Sequence, residues 1–286
     1  MSLRHAPWTE SADFAIGLRP IPETGWLEGG EADPAARKDP LFAAARPDVF
    51  AEAQGSRAGQ LEIARLVDAA LGTPGEPAGD LPPLYAAARR VSDDLCLMEK
   101  SDGAWRLTAL SLSAASFFRA EEVLGKSLAE LHGPVNGFSE RFLRRVERIF
   151  EGLRPGLVLE RRNWSLFNSD VLSVPDPAPY RARLPLVTPQ TAGEALFLRV
   201  ERQTLRRLPQ TGGAVFTIRI WLNPLADVAA EPARLAAFAQ AWRSAPQAFR
   251  DYKRLALYDR LVEAFLRAHG ESHSVNGTAS PSLWAP

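Results

Sequence analysis

The chain has 286 residues, of which 46% are hydrophobic, and its 34 Lys and Arg balance 34 Asp and Glu, so the formal net charge is zero. This balance excludes the strongly basic surface that binds nucleic acid or anionic lipid, and we expect neither partner. The single cysteine, Cys96, excludes a disulfide framework, a four-cysteine zinc site and an iron–sulfur cluster built within the chain. No signal-peptide pattern and no apolar run of about 18 residues is present, which predicts a cytoplasmic protein without a membrane span.

The first part of the chain is rich in Pro, Gly and Trp and shows no sustained hydrophobic period. We predict that residues 1–50 form an arm that wraps a body, with Trp8 and Trp26 as its anchors. Helical spacing follows over residues 50–72, and the Pro- and Gly-rich stretch 72–83 predicts a loop.

Five short, β-prone segments follow this loop, and the last of them alternates with the period of two that is typical of β-strands. They span 94–100, 105–113, 157–167, 195–205 and 214–224. Turn residues at 101–103 and 208–213 predict hairpins between the first two and the last two strands. Between the second and third strands, 138–153 has the spacing of an amphipathic helix with the apolar face Phe142, Val146, Ile149 and Phe150.

The remainder of the chain is helical by pattern. Residues 231–270 predict two helices broken at 244–246, and 271–286 predict a loose tail. The body, 51–270, is therefore expected to be an α+β domain with an antiparallel five-stranded sheet and with inserted and flanking helices. Two strands, a helical middle and three strands is also the element order of a PAS-like domain, an analogy of fold that carries no chemistry.

The only histidine in the interior of the chain is His132, which directly precedes Gly133-Pro134. From the residues alone, it can be a core histidine bonded to a carbonyl, a general base or an iron ligand. A zinc or non-haem iron site needs roughly three converging protein ligands, whereas haem needs one imidazole because the porphyrin supplies the others. No phosphate-binding loop, dinucleotide fingerprint or serine-nucleophile elbow is present in the sequence.

Arginines recur with strand alternation in two of the predicted strands. In "ERRNWSLF", Arg162 and Trp164 share one face, and Arg202 in "LRVERQTL" is followed across a hairpin by Arg219. Outward arginines on a solvated sheet explain this pattern. If the face is covered, clustered arginines need anions, and haem propionates are one such pair.

Three stretches together carry a resemblance to a known family. "LGKSLAELHGPVNGF", "RRNW" and "LFLRVERQTLRRLPQTGGAVFTIRIWLNPL" resemble the haem-dependent oxidative N-demethylase family, over residues 40–265 or so. The resemblance implies haem b in a PAS-like fold, oxygen-dependent demethylation of a small secondary amine, and electrons from a separate reductase with flavin and iron–sulfur subunits.

The resemblance also implies roles for individual residues. His132 would be the proximal iron ligand, and Arg162, Arg202 and Arg219 would hold the propionates or line the distal rim. A cationic amine needs an aromatic wall or a carboxylate near iron. The candidates for this contact are Asp94, Trp164, Phe117 and Phe118.

Three segments depart from the family pattern. Asn136 replaces the second Pro of His-x-Pro-Val-Pro-Gly, Ala115–Phe118 replaces Pro-Ser-x-Trp, and 92–94 reads Ser-Asp-Asp instead of Gln-Glu-Asp. Two other hypotheses therefore stay open beside the enzyme. One is a PAS-like haem-binding sensor or carrier without turnover, and the other is a haem-free interaction protein.

Overall fold

A computed structural model describes residues 3–9, 17–76, 78–132 and 140–270. The side chains of residues 132, 140 and 141 lie outside this description. The strands are β1 (Arg19–Ile21), β2 (Phe50–Glu52), β3 (Asp94–Ser101), β4 (Ala104–Ser111), β5 (Val158–Phe167), β6 (Phe197–Arg207) and β7 (Ala214–Pro224). The α-helices are α1 (Pro34–Val49), α2 (Arg57–Leu71), α3 (Pro83–Ala88), α4 (Ala120–Val123), α5 (Leu128–His132), α6 (Glu140–Gly152), α7 (Ala178–Arg183), α8 (Ala192–Ala195), α9 (Pro232–Ser244), α10 (Gln247–Lys253) and α11 (Asp259–Ala268).

The strands form one antiparallel sheet of seven strands in the order β1-β5-β6-β7-β3-β4-β2. The predicted mixture of helices and antiparallel sheet is confirmed, and the five predicted strands are β3 to β7. The predicted total of five is wrong, because β1 pairs with β5 and β2 pairs with β4. Each added strand has three residues, which is too short to show a period of two in the sequence.

Several helix boundaries also differ from the prediction. The helix expected from residue 50 begins at Arg57, because 50–52 pair as a strand. Helix α1 was not predicted, since two prolines and a non-helical Ala45 interrupt its period. The C-terminal region has three α-helices, α9 to α11, where two were expected. The inserted helix predicted at 138–153 is present as α6.

The turn between β3 and β4 follows directly from its residues. Asp102 and Gly103 have φ of 51° and 79°, and Ser101 pairs with Ala104 across them. Two successive residues with positive φ make the tight turn that matches strand twist, for which Asp-Gly is a preferred pair. This hairpin is therefore specified locally, as predicted.

The two faces of the sheet are both covered. We call the face that carries Arg162, Arg202 and Arg219 the arginine face, and the face that carries Leu159 and Leu205 the α5 face.

Two apolar clusters cover the arginine face, one at each end. The first joins Trp26 and residues of α2 and α3 to Leu95, Leu97, Val158 and Val215. The second joins Trp8 and residues of α9 and α11 to Trp164, Leu166, Leu198 and Val200. Trp8 is 4% exposed and Trp26 is 0% exposed, which is the burial that an anchoring side chain needs.

A third apolar cluster covers the α5 face. Leu128 of α5 and Phe150 of α6 pack there against residues of β3, β4 and β6, with Val146 and Ile149 partly buried beside them. The polar residues of the sheet are thus enclosed between packed layers on both sides. Within the described ranges, none of the helices is long and apolar enough to cross a membrane.

Candidate functional site

Three arginines lie side by side on the arginine face. Arg162 of β5 pairs in register with Arg202 of β6, which pairs with Arg219 of β7. Arg202 is 2% exposed and Arg219 is 7% exposed. Directly opposed like charges destabilise a sheet, and more so away from water, so this row requires anions.

Glu160 lies at the centre of the anions that the chain itself supplies. Its carboxylate accepts from Arg202 Nε at 2.5 Å and lies 3.0 Å from Arg162 Nη2. Burial raises the pKa of Glu160, but the arginines outweigh it and hold the pKa below its usual value.

The segment after β1 supplies the other partners of the row. Arg202 donates to the carbonyl of Trp26 at 3.0 Å and lies 3.7 Å from Glu28, and Arg219 lies 3.8 Å from Glu31. The arginine row therefore fastens the N-terminal segment to the sheet.

Asp93, just before β3, lies beside the same row. Its side chain is fully buried, and neither carboxylate oxygen has a hydrogen-bond partner among the described residues. Burial raises the pKa of Asp93 to about 6, although the positive charges of Arg219, Lys38 and Arg202 act to lower it. Lys38 is equally buried and donates to the backbone carbonyls of Ala88 and Asp93 at 2.9 and 2.7 Å.

We expect Asp93 to make stability depend on pH. Because the folded-state pKa is raised, the folded protein binds the proton more readily than the unfolded chain. The wild type should therefore lose stability relative to Asp93→Asn as the pH rises from about 4 to about 7, by an amount on the order of 3 kcal/mol. Urea unfolding of both proteins across this range measures the difference, and a difference that does not change with pH would contradict the assignment.

Trp164 packs in the core of the arginine face. It is 5% exposed, and its ring centroid lies 6.1 Å from that of Trp8 and 5.8 Å from that of Phe238. The α5 helix packs on the other side of the sheet.

Helix α5, which ends at His132, is fixed at its first turn. The carboxylate of Glu130 accepts from the backbone N of Ser127 at 2.8 Å, and the hydroxyl of Ser127 accepts from the backbone N of Glu130 at 3.3 Å, which is a capping box. Leu128 and Leu131 pack in the cluster on the α5 face. The predicted ligand side chain of His132, and the departure at Asn136, lie outside the described residues.

Asp94 points to the α5 face and organises the chain after β4. It is 1% exposed and accepts from Ser113 N, Ser113 Oγ and Ala114 N at 2.7, 2.8 and 3.0 Å. The segment that follows contains Phe117, whose φ of 69° is rare for a bulky residue. The Phe117 ring stacks on that of Phe167 at 5.3 Å.

A row of charged and amide side chains crosses the α5 face next to the apolar cluster. We call it the charged strip, and it consists of Arg161, Asn163, Arg199, Glu201 and Lys253. Asn163 pairs in register with Glu201. Lys253 Nζ donates to Asn163 Oδ1 at 3.3 Å, and Arg199 Nε lies 3.7 Å from Glu201 Oε1.

The charges of the strip act on one another. Burial lowers the pKa of Arg161, of Arg199 and of Lys253. Burial raises the pKa of Glu201, yet Lys253, Arg199 and Arg161 bring it below its usual value. Glu201 is therefore the carboxylate that all three cations share.

Comparison with known proteins decides the family. A family model described as haem-dependent oxidative N-demethylase, alpha subunit-like, matches residues 41–262. The chain belongs to this family. The resemblance seen in the sequence is thereby confirmed, and the description of the family names haem dependence and oxidative N-demethylation.

The residues proposed from sequence for the N-demethylase site do not all meet. Arg162, Arg202 and Arg219 do form one row, but they share the arginine face with Trp164. Asp94 lies with α5 on the other face. The sheet thus separates four of the candidates from the helix that carries His132.

The charged strip was only partly visible in the sequence. Because side chains alternate along a strand, Arg199 and Glu201 point to the other face of the sheet from Arg202, and Arg161 points to the other face from Arg162. Lys253 had no local signal, because it reaches the strip from a helix 90 positions along the chain.

The lining of the α5 face fits the chemistry of haem, which has an apolar ring system and two carboxylates. This face has an apolar cluster beside the half-buried cations Arg161 and Lys253. Arg199 is 2% exposed and donates to the backbone carbonyls of Leu172 and Ala114, while its Nε makes no hydrogen bond to the described residues and lies 3.7 Å from Glu201 Oε1. In the part of the chain that the structure describes, no three His, Cys, Asp or Glu side chains converge on a metal site.

Proposed function

We propose that this protein is the haem-binding subunit of an oxidative N-demethylase that removes a methyl group from a small secondary amine with molecular oxygen. The family match over residues 41–262 carries this proposal. The α5 face supports it, because apolar and cationic surfaces adjoin there beside the helix that ends at His132. We further propose that the inserted and flanking helices and the sheet serve as a PAS-like haem-binding body.

The proposed reaction balances with one amine and one oxygen molecule. The bond between the methyl carbon and nitrogen breaks, and the carbon leaves as formaldehyde with one oxygen atom. The other oxygen atom becomes water. The amine nitrogen gains one hydrogen in place of the methyl group. Two electrons and two protons are required in addition. Haem b, when bound, would supply the oxygen activation, since protein side chains do not activate oxygen unaided.

The roles of the chain's residues follow from where they lie. His132, at the end of the capped helix α5, is the residue that would hold the haem iron. Asp94 holds the loop after β4 that leads to Phe117 and so shapes the face on which substrate would bind. We assign Arg162, Arg202 and Arg219 to fastening the N-terminal segment, since Glu160, Glu28 and Glu31 are their partners. Trp164 belongs to the packing of α9 on the sheet.

The proposal is tested by the absorption spectrum of the protein and by its catalytic turnover. Protein expressed with a haem precursor should show a Soret band and should consume oxygen when an electron donor and a secondary methylamine are both present. A Soret band without amine-dependent oxygen consumption would indicate a sensor or carrier. No Soret band would indicate a haem-free interaction protein.

Electron delivery is expected to need a second protein. The chain has one cysteine and no flavin fingerprint, so we propose a separate reductase with flavin and iron–sulfur centres as donor. Purified protein with NADPH, oxygen and amine should form formaldehyde at less than about a hundredth of the rate reached with such a reductase. Equal rates with and without the reductase would refute this partner.

A further inference from the structure

Within the described residues, the charged strip holds three cations and one carboxylate, and Arg199 is its buried member. Arg161, Arg199 and Lys253 share the carboxylate of Glu201, and the other described carboxylate that acts on Arg199 is Asp94. Asp94 already accepts three hydrogen bonds from the chain after β4. Neighbouring cations are stabilised by anionic partners, so one further anion beside the half-buried Arg161 and Lys253 would complete the strip.

The charged strip and the arginine row differ in the anionic partners that their cations have. On the arginine face, three arginines meet carboxylates and carbonyls brought by the N-terminal segment and by Glu160. On the α5 face, the described partners of the three cations are the carboxylate of Glu201, the amide of Asn163 and, for Arg199, the backbone carbonyls of Leu172 and Ala114. The same sheet thus has a charge-compensated row on one side and a cation-rich row on the other.

The position of the strip makes it relevant to the proposed haem site. Leu159 and Leu205 belong to the apolar cluster in which Leu131 of α5 packs. Leu159 is two residues before Arg161, and Leu205 is four residues after Glu201, on the same strand faces. The strip therefore borders the apolar surface beside the helix that ends at His132.

We propose that Arg161 and Lys253 bind a carboxylate group of a ligand on the α5 face, with Glu201 and Asn163 holding the two cations in place. This inference deepens the proposed function and rests on it for the identity of the ligand. The carboxylate belongs either to a haem propionate or to an amine substrate that carries its own carboxylate, such as an N-methylated amino acid. Guanidinium and ammonium groups recognise both in the same way.

Adjacent arginines on opposite faces give a matched pair for the test. The haem-free full chain is titrated with haemin and with haemin dimethyl ester, which lacks free carboxylates. Arg161→Gln is compared with Arg162→Gln, and Lys253→Met with Lys100→Met, whose lysine pairs with Glu151 at the surface. The haem-loaded proteins are then titrated with N-methylglycine and with dimethylamine, and spectral shifts are followed. Arg161→Lys keeps the charge and guards against loss of folding.

Loss of one charge-assisted contact should weaken carboxylate binding about 10- to 100-fold. If Arg161→Gln and Lys253→Met weaken haemin but not its diester, the ligand group is a propionate. If they weaken N-methylglycine but neither haemin nor dimethylamine, it is the carboxylate of the substrate. Arg161→Lys should recover part of the affinity in either case, and both control variants should bind as the wild type does.

Three results would overturn the inference. The first is unchanged binding of every carboxylate ligand, and the second is equal weakening of haemin and its diester. The third is a loss of haemin affinity in Arg162→Gln but not in Arg161→Gln, which would place the propionates on the arginine face. A wild type without a Soret band refutes the proposed function separately. In that case, the thermal stability of the haem-free chain tests the inference about the charged strip. N-methylglycine must raise the melting temperature of the wild type and must not raise that of Arg161→Gln.

Discussion

Replacing His132 by alanine is expected to abolish haem binding. A porphyrin leaves its iron dependent on one protein imidazole, and helix α5 is fixed by its Ser127–Glu130 capping box and by the packing of Leu128 and Leu131. Removal of the ligand should cost more than the roughly 10- to 100-fold that loss of an outer partner costs a metal site. Soret intensity and the reduced carbon monoxide spectrum at equal folded concentration measure the effect.

Histidines elsewhere in the chain serve as controls for this experiment. His269 directly follows α11, and its Nδ1 lies 2.8 Å from the carbonyl oxygen of Phe265. His269→Ala should therefore leave the haem spectrum unchanged. His273→Ala, in the predicted tail, should do the same. If His132 is instead a core histidine, His132→Ala would be less stable but would keep the wild-type haem spectrum, and the ligand assignment would then be wrong.

The second large effect concerns Glu160. Its buried carboxylate lies 2.5 Å from Arg202 Nε, 3.0 Å from Arg162 and 3.1 Å from Arg19. Glu160→Gln removes the anion and leaves Arg202, which is 2% exposed, without its closest opposite charge. Breaking a buried pair from one side costs about 3–5 kcal/mol, which we expect as the loss in the free energy of unfolding in urea at neutral pH.

Glu23→Gln on the same face is the matched control. Glu23 lies 2.8 Å from Arg206, but its side chain is 52% exposed, so its loss should cost less than about 1 kcal/mol. The pH dependence gives a second check. The lowered pKa of Glu160 means that its contribution is complete above the ordinary value of 4.5 and is lost as the pH falls through the folded-state pKa. Equal losses in Glu160→Gln and Glu23→Gln would contradict the buried network.

The sequence alone determined the elements that have local causes. Strands β3 to β7 follow from short β-prone runs bounded by turn residues, α6 from an apolar stripe, and the first hairpin from Asp102-Gly103. Alternation also established that Arg162 and Trp164 share a face, because side chains in a strand point to opposite sides in turn. The family was recognisable for a related reason, since its longest motif spans one continuous β-hairpin, β6 and β7.

Only the tertiary structure decided what each face of the sheet meets. Local alternation separates two faces but does not say which one a distant helix will cover, since that depends on packing between segments far apart in the chain. Arg162, Arg202 and Arg219 suggested a cofactor site from the sequence, and only the fold shows that Glu28 and Glu31 reach Arg202 and Arg219 from the N-terminal segment. Lys253 joins Asn163 across 90 positions, and β1 and β2 exist as strands because longer strands offer them free edges. These contacts are long-range, and no window of local sequence contains both partners.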